Sequence, residues 1–255
     1  MIRPLRVALA CGLLAAHAPA ARAQANLQLW GNATIDWTKS ARLTYELDFE
    51  PKALVKAPEG DPAWRNLDVT PNVEYALNDW LDLIGEATAG YTKQTDDDNT
   101  FELTPRGGVR FHVFSRSVPT YGPSIRELPP KRRVVVRDRV LLESRNFFYF
   151  GAGSGSSSDV RVRNRLELLM PINRANLTDD GARYWFVDWE AFMPAGEPDE
   201  RFANKHRLRA GLGYRPSQAW RFEAVHAWTR SRNTIEEGFT SSDNIIDFRL
   251  KRVFQ

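Results

Sequence analysis

The chain has 255 residues, 42% hydrophobic and 26% charged, with a mean hydropathy of −0.46. After the first 23 residues no stretch approaches the roughly 20 apolar residues of a membrane-spanning helix. The 14 Phe, 8 Trp and 7 Tyr are too many aromatics for a disordered chain. The length allows one or two domains, and 16 Gly with 15 Pro indicate no collagen-like or low-complexity class.

The amino terminus reads as an export signal. Arg3 and Arg6 form a basic start, residues 7–16 are apolar, and Ala21-Arg22-Ala23 offers a small-x-small cleavage site. The expected division is therefore a cleaved signal peptide at 1–23 and a single domain at 24–255, beginning at Gln24. A lipoprotein signal at Cys11 fits less well, because Ala8 sits where a larger residue is favoured. Cleavage removes Arg3, Arg6 and Arg22 and no acid, leaving 32 basic against 32 acidic residues. The pI of 9.1 thus belongs to the precursor and does not argue for a nucleic-acid partner. Cys11, the single cysteine, leaves with the signal, so disulfides cannot stabilise the exported chain.

From Leu27 onward apolar and polar residues alternate at period two, the mark of half-buried strands. One row is Leu27, Leu29, Ala33, Ile35 and Trp37, and the next segment sets Ala41, Leu43, Tyr45, Leu47 and Phe49 against Arg42, Thr44, Glu46, Asp48 and Glu50. Further rows are Leu67 to Leu77, Leu81 to Tyr91 and Phe101 to Val113 in odd parity, then Val134, Val136, Val140 and Leu142 in even parity. Val160, Val162, Leu166, Leu168 and Met170 follow, then Trp185, Val187, Trp189, Ala191 and Met193, whose segment carries aromatics on both faces and leaves its orientation open. Leu208 to Tyr214, Trp220 to Trp228 and Ile246 to Phe254 complete eleven segments. Lys39-Ser40, Asn78-Asp79 and Arg215-Pro216-Ser217 read as tight turns. Residues 51–62, 94–100, 151–158, 194–203 and 231–242 read as longer polar connections.

Segments of about nine to eleven residues are long enough for a tilted strand to cross a bilayer. Alternating short and long connections are how transmembrane barrels are built. The expected fold is all-β, an antiparallel transmembrane β-barrel of ten to twelve strands. Eleven is awkward, since single-chain bacterial barrels normally have an even count. Residues 115–132 could hide another strand, although Pro119, Pro123, Pro129 and Pro130 oppose a central one.

The polar faces decide which side faces out. Arg137, Arg139, Glu143 and Arg145 share one side of a segment, Arg161, Arg163, Arg165 and Glu167 one side of the next, and Arg207 and Arg209 one side of a later one. An Arg facing lipid at the midplane costs roughly 2–4 kcal/mol, so in a membrane these residues line the lumen. In a soluble exported lipocalin-like binding barrel they would face water instead, but ten or more strands would then enclose a large apolar void. Aromatics fall near strand ends, at Trp30, Trp37, Phe49, Trp80, Tyr91, Phe111, Tyr214, Trp220 and Trp228, as interfacial girdles require. Asp138 and Asn164 fall among apolar neighbours and break the pattern.

Three sets of residues carry a family resemblance: Arg161-Val162-Arg163-Asn164-Arg165-Leu166-Glu167, Asp188-Trp189-Glu190-Ala191-Phe192, and Asn204 through Tyr214 with its Gly211-Leu212-Gly213-Tyr214 ending. Together with Leu29-Trp30 and Glu46-Leu47-Asp48, they make the chain resemble an uncharacterised proteobacterial domain-of-unknown-function family (2490). The resemblance implies an outer-membrane β-barrel in a Gram-negative envelope and supplies no activity. The pattern departs at Lys205, where Arg is expected. Barrels of this kind end on an aromatic residue read by the assembly machinery, and here Phe254 is followed by Gln255.

Little catalytic chemistry is legible. His112, His206 and His226 form no metal-type pair, and neither a metal site nor a cofactor is expected. His226 shares the parity of Trp220 and Trp228 and reads as interfacial; His112 and His206 read as polar-face residues. Asp96-Asp97-Asp98-Asn99 reads as a solvated acidic loop rather than a Ca²⁺ site. The Arg and Glu rows read either as an ion-pair network filling a narrow lumen or as an anion-attracting pore wall. Three functions follow: a small channel or transport barrel passing a small anionic solute, a closed structural or adhesion barrel, and a lipid-modifying hydrolase or acyltransferase. The first two expect no enzymatic activity. Expected partners are outer-membrane lipid, lipopolysaccharide and the assembly machinery, with no nucleic acid.

Overall fold

A computed structural model describes residues 26–40, 42–56, 63–95, 98–113, 134–151, 154–195, 204–232 and 241–254. The segment 1–23 expected to be a signal peptide, the Pro-rich stretch 115–132, and Asp96 and Asp97 of the acidic loop lie outside the described residues. Among those described there are eleven strands: β1 (Asn26–Thr38), β2 (Leu43–Lys56), β3 (Trp64–Ala76), β4 (Leu81–Gln94), β5 (Asn99–His112), β6 (Val135–Phe150), β7 (Gly155–Pro171), β8 (Ala182–Pro194), β9 (Asn204–Ser217), β10 (Trp220–Arg232) and β11 (Ser241–Phe254). Each pairs with its sequence neighbour, and β1 pairs with β11, closing a barrel.

All pairings between sequence neighbours are antiparallel, but the closing β1–β11 seam is parallel, which corrects the fully antiparallel expectation. The reason is parity. Strands that reverse direction at every step leave the first and eleventh running the same way. Closure therefore requires a parallel ladder, from Asn26 opposite Asp243 to Trp37 opposite Phe254. Asn26 then marks one rim, the amino rim, and Phe254 the other, the carboxyl rim.

The expected tight turns all lie at the carboxyl rim, where Lys39 and Ser40 N–H groups donate to the Leu43 carbonyl and Leu77 and Asn78 donate to that of Leu81. The same rim also carries the connections 113–134 and 172–181, so short and long links do not segregate cleanly by rim. The expected 151–158 loop is largely strand: β6 runs to Phe150 and β7 resumes at Gly155, with Tyr149 opposite Gly155. Alternating side chains extend both strands beyond the length that the Gly-Ser composition suggested.

The alternation sorts side chains onto two faces. Outward lie Leu29, Leu67, Leu83, Leu142, Leu166, Leu208, Leu212 and Phe248, all exposed. Outward aromatics gather near the carboxyl rim, where Trp37 stacks on Phe254 across the seam and Trp80 on Phe111, each pair with centroids 6.1 Å apart. A second set, Tyr91, Phe101, Phe148 and Trp228, lies toward the amino rim. Two expected girdle residues depart from this. Trp30 has inward parity and lines the lumen. Phe49 lies mid-strand between Ala33 and Val69. The β8 ambiguity resolves with Trp189 and Met193 outside and Tyr184, Phe186 and Phe192 buried inside. Asp138 and Asn164 remain on the outer face, where the Asn164 amide donates to Asp138 Oδ1 at 2.7 Å and each offsets the other's polarity.

The seam can be tested directly. Ala33 and Leu250 are opposite each other in the parallel register. The double variant Ala33→Cys, Leu250→Cys is expected to form an intramolecular disulfide on mild oxidation, since paired strands bring Cα atoms within bridging range. Ala33→Cys with Phe222→Cys, two strands apart, is expected to form none. Gel mobility under non-reducing conditions reads the outcome.

Candidate functional site

The inner face encloses a cavity of about 890 Å³. Its lining runs from Asn26, Trp64 and Gln94 at the amino rim to Asp36, Gln218 and Val253 at the carboxyl rim, so the space extends along the barrel axis. All the expected site residues apart from Glu143 border it: Arg137, Arg139, Arg145, Arg161, Arg163, Arg165, Glu167, Arg207 and Arg209. Glu143 is fully buried behind them.

Register places the charges in alternation. Across the β6–β7 ladder Arg137 faces Glu167, Glu143 faces Arg161, and Arg145 faces Asp159. Arg139 faces Arg165, a like-charged pair that each member resolves elsewhere. Arg139 reaches Glu86 at 3.7 Å and Glu190 at 3.9 Å, while Arg165 reaches Glu167 at 2.7 Å and Asp188 at 3.1 Å.

Two carboxylates act as hubs, each with no exposed side-chain area. Glu143 takes Arg106 at 2.8 Å and Arg163 at 3.3 Å, and Arg161 also donates to it. Glu190 takes Arg163 at 2.5 Å, Arg209 at 3.1 Å and Arg207 at 3.5 Å. Arg163 thereby links the two hubs. Asp188 accepts from Arg209 Nε at 2.7 Å. Glu190, Asp188, Glu86 and Arg106 were not among the expected site residues. Their parity was readable, but the aromatics on both faces of β8 obscured which side its acids occupied.

The two sides of the lumen differ in charge. β1 to β4 present Asp36, Glu46, Asp48, Glu50, Asp68 and Glu74, with Lys52 as a cation held by Glu50 at 2.9 Å and Asp68 at 2.5 Å. β5 to β9 present the Arg rows. The acidic side meets cations from its neighbours: Lys251 binds Asp36 at 2.9 Å and also Glu46, and Arg110 binds Glu74. A transverse field across the lumen follows from this separation.

Toward the carboxyl rim one side of the interior is apolar. Val135, Leu169, Tyr184, Phe186 and Val225 form a buried cluster, with Leu177 of the 172–181 connection packed against it. Tyr184 donates to Glu223 at 2.5 Å. Gly211 and Gly213 on neighbouring β9 make room for these rings. A Cβ on Gly211 would lie 2.6 Å from Phe186, and one on Gly213 2.0 Å from Tyr184. The Gly-x-Gly spacing is thus explained by two inward aromatics on the adjacent strand.

The histidines separate. His112 is buried on the inner face with Nε2 2.5 Å from Asp82 Oδ2. His206, expected on the polar face, instead points outward and stacks on Trp189 with centroids 5.6 Å apart, because it shares even parity with Leu208 and Leu212. His226 is outward and exposed, but it sits at mid-strand of β10 between Ala210 and Ile246 rather than near a strand end, where the interfacial reading put it. The wall thus stands between His112 and His206, and the pair cannot share one catalytic centre.

Two outcomes follow. Glu190→Gln strips the shared counter-charge from Arg139, Arg163, Arg207 and Arg209, and breaking such a buried pair costs about 3–5 kcal/mol; a thermal melt of refolded protein should show a large drop. Gly213→Ala overpacks Tyr184 at a cost of about 1–3 kcal/mol, with a smaller drop in the same melt.

No curated protein and no solved structure matches the chain. A family model matches residues 27–237, covering the inner and outer rows of β1 to β10. The chain belongs to the family described as protein of unknown function (DUF2490).

Proposed function

We propose that this chain is an outer-membrane barrel, exported by a cleaved segment at 1–23, that passes small polar solutes through a charged lumen. The observation that carries the reading is the inversion of its two faces. Leu212, Phe248 and Leu142 are more than half exposed on the outside, while Glu143, Glu190 and Asp188 are sealed within. Burying one such side chain is worth about 1.5–3 kcal/mol, so a belt of them around a cylinder favours hydrocarbon as its surroundings. Soluble monomers rarely expose contiguous apolar patches beyond a few hundred Å². A soluble binding barrel would carry the opposite arrangement.

Charge on the outer face supports the same reading. Arg65, Lys93 and Arg230 lie toward the amino rim and Arg183 and Arg252 toward the carboxyl rim, so that among the described residues the belt between them carries one carboxylate, Asp138 bonded to Asn164, and a few polar side chains such as Ser144 and His226 among its apolar residues. Strands of 13 to 17 residues, tilted, are long enough to cross an apolar band about 25 Å tall. The partners of this reading are outer-membrane lipid, lipopolysaccharide and the assembly machinery. Phe254, stacked at the seam, is the aromatic that machinery would meet.

The axial cavity favours a channel over a solid rod, and the Arg-rich side favours anions among its solutes. A second reading, a closed structural barrel, is favoured by the complete burial of Glu143 and Glu190 under their guanidiniums. Two measurements test these readings. Density-gradient fractionation should recover the protein with the outer membrane, and recovery in the soluble periplasmic extract would overturn the location. Refolded protein in a planar bilayer should give stepwise conductance whose anion preference falls when Arg161, Arg163 and Arg165 are replaced by Gln. Absence of steps, with the fold intact, would leave the structural reading in place.

A further inference from the structure

The counter-charge pattern of the lumen fails at one place. On the β8–β9 ladder Asp188 faces Arg209 and Glu190 faces Arg207, but at the next inward step Phe192 faces Lys205. The other neighbour of Lys205, on β10, is Ser231. Neither flanking strand therefore offers Lys205 a carboxylate, and no ion pair to it forms among the described residues. Its ammonium instead lies over the Phe192 ring at 4.5 Å.

The same ring gathers three more cations. Arg161, Arg163 and Arg207 have their guanidinium carbons 4.7, 5.1 and 5.4 Å from its centroid. Together with Lys205, these four positive groups share two hub carboxylates, Glu143 and Glu190, which also meet Arg106, Arg139 and Arg209; those three reach Glu86 or Asp188 as well, so the four cations at the ring exceed their two hubs by two. Donors are left over. Among the described residues Arg161 Nη1, Arg207 Nε and Thr229 Oγ1 are buried without hydrogen-bond partners, and the Arg161 side chain is 6% exposed. Lys205, the three arginines, Thr229 and Ser231 all border the axial cavity. Fixed like charges crowded in a low-dielectric wall repel one another unless an anion joins them.

We propose that this cluster is a binding site for a dianionic oxyanion of the phosphate class, either free or as the terminal group of a small organic phosphate. A surplus near two positive charges calls for a dianion rather than a monoanion. Guanidinium forks and hydroxyls match the several acceptor oxygens of such a group. This inference deepens the channel reading and rests on its solvent-filled lumen, giving the lumen a preferred solute near its amino rim.

The test is calorimetric titration of the refolded full-length chain in detergent micelles with inorganic phosphate, at fixed chloride, repeated with a phosphate monoester and with acetate. Saturable phosphate binding is expected, with acetate far weaker. Preference for the monoester would identify an organic phosphate as the solute, and equal binding would identify the free ion; either supports the site. Lys205→Met should weaken phosphate binding about tenfold, the scale of one charge-assisted hydrogen bond. It should also keep or raise the melting temperature, because it removes a repulsive charge. Lys93→Met, which deletes an outer-face lysine, should bind as the parent does. No phosphate binding by folded protein, equal affinity for acetate, or undiminished binding by Lys205→Met would overturn the site. Phosphate binding without bilayer conductance would uphold the site and remove the channel; conductance without phosphate binding would do the reverse.

Discussion

Neutralisation of guanidinium by carboxylate on a closed inner wall is the interaction on which the molecule depends. Each ion taken from water costs several kcal/mol, recovered only when geometry supplies close opposite charge and saturates the donors. The strand ladder supplies that geometry. A pleat places alternate residues on one face and sets neighbours opposite one another, so Arg161 meets Glu143 and Arg209 meets Asp188 without any loop or helix to position them. A slip of one residue would carry the Arg and Glu rows outward and the outer Leu rows inward. Polar and apolar faces thus fix the register jointly, and neither could be altered along a whole strand without the other.

Closure adds a second constraint. With eleven strands the seam must be parallel, and its inner side depends on charges from three strands: Lys251 of β11 reaches Asp36 of β1 and Glu46 of β2. Its outer side is joined by Trp37 and Phe254. The seam therefore unites residues from the two ends of the described chain, and the barrel cannot close until β11 has been made. An odd count is uncommon, but a nineteen-stranded mitochondrial barrel closes with one as well.

The lumen has distinct regions along its axis. Near the carboxyl rim, Tyr184, Phe186 and Val225 narrow it with apolar volume, accommodated by the side-chain-free Gly211 and Gly213. In the middle, Glu143 and Glu190 cross-brace the Arg rows. Toward the amino rim the acidic column of β8 gives way to Phe192, and around that ring four cations gather on two carboxylates. The middle region stabilises the wall, and the unbalanced region is where an external anion gains most by binding. Stability and recognition thereby occupy neighbouring turns of the same charge pattern.

Period-two alternation was enough to establish the strands, their approximate limits and the face each residue takes, because a pleat converts sequence parity directly into direction. It identified the Arg rows as one face and placed Glu143 and Glu167 among them before any coordinates. Where residue type and parity competed for one position, parity prevailed. Trp30 resembled a girdle residue but faces the lumen, and His206 resembled a polar-face residue but lies outside against Trp189. Gly-Ser composition at residues 151–158 suggested a loop, yet ladder pairing with β6 extends the strand through most of it. What the tertiary structure alone decided was which charges meet. Pairing β7 with β8 and β8 with β9 brought Arg163, Arg207 and Arg209 onto Glu190 and left Lys205 facing a phenyl ring. Those encounters depend on register between strands, a relation between residues far apart that no pattern within a single segment contains.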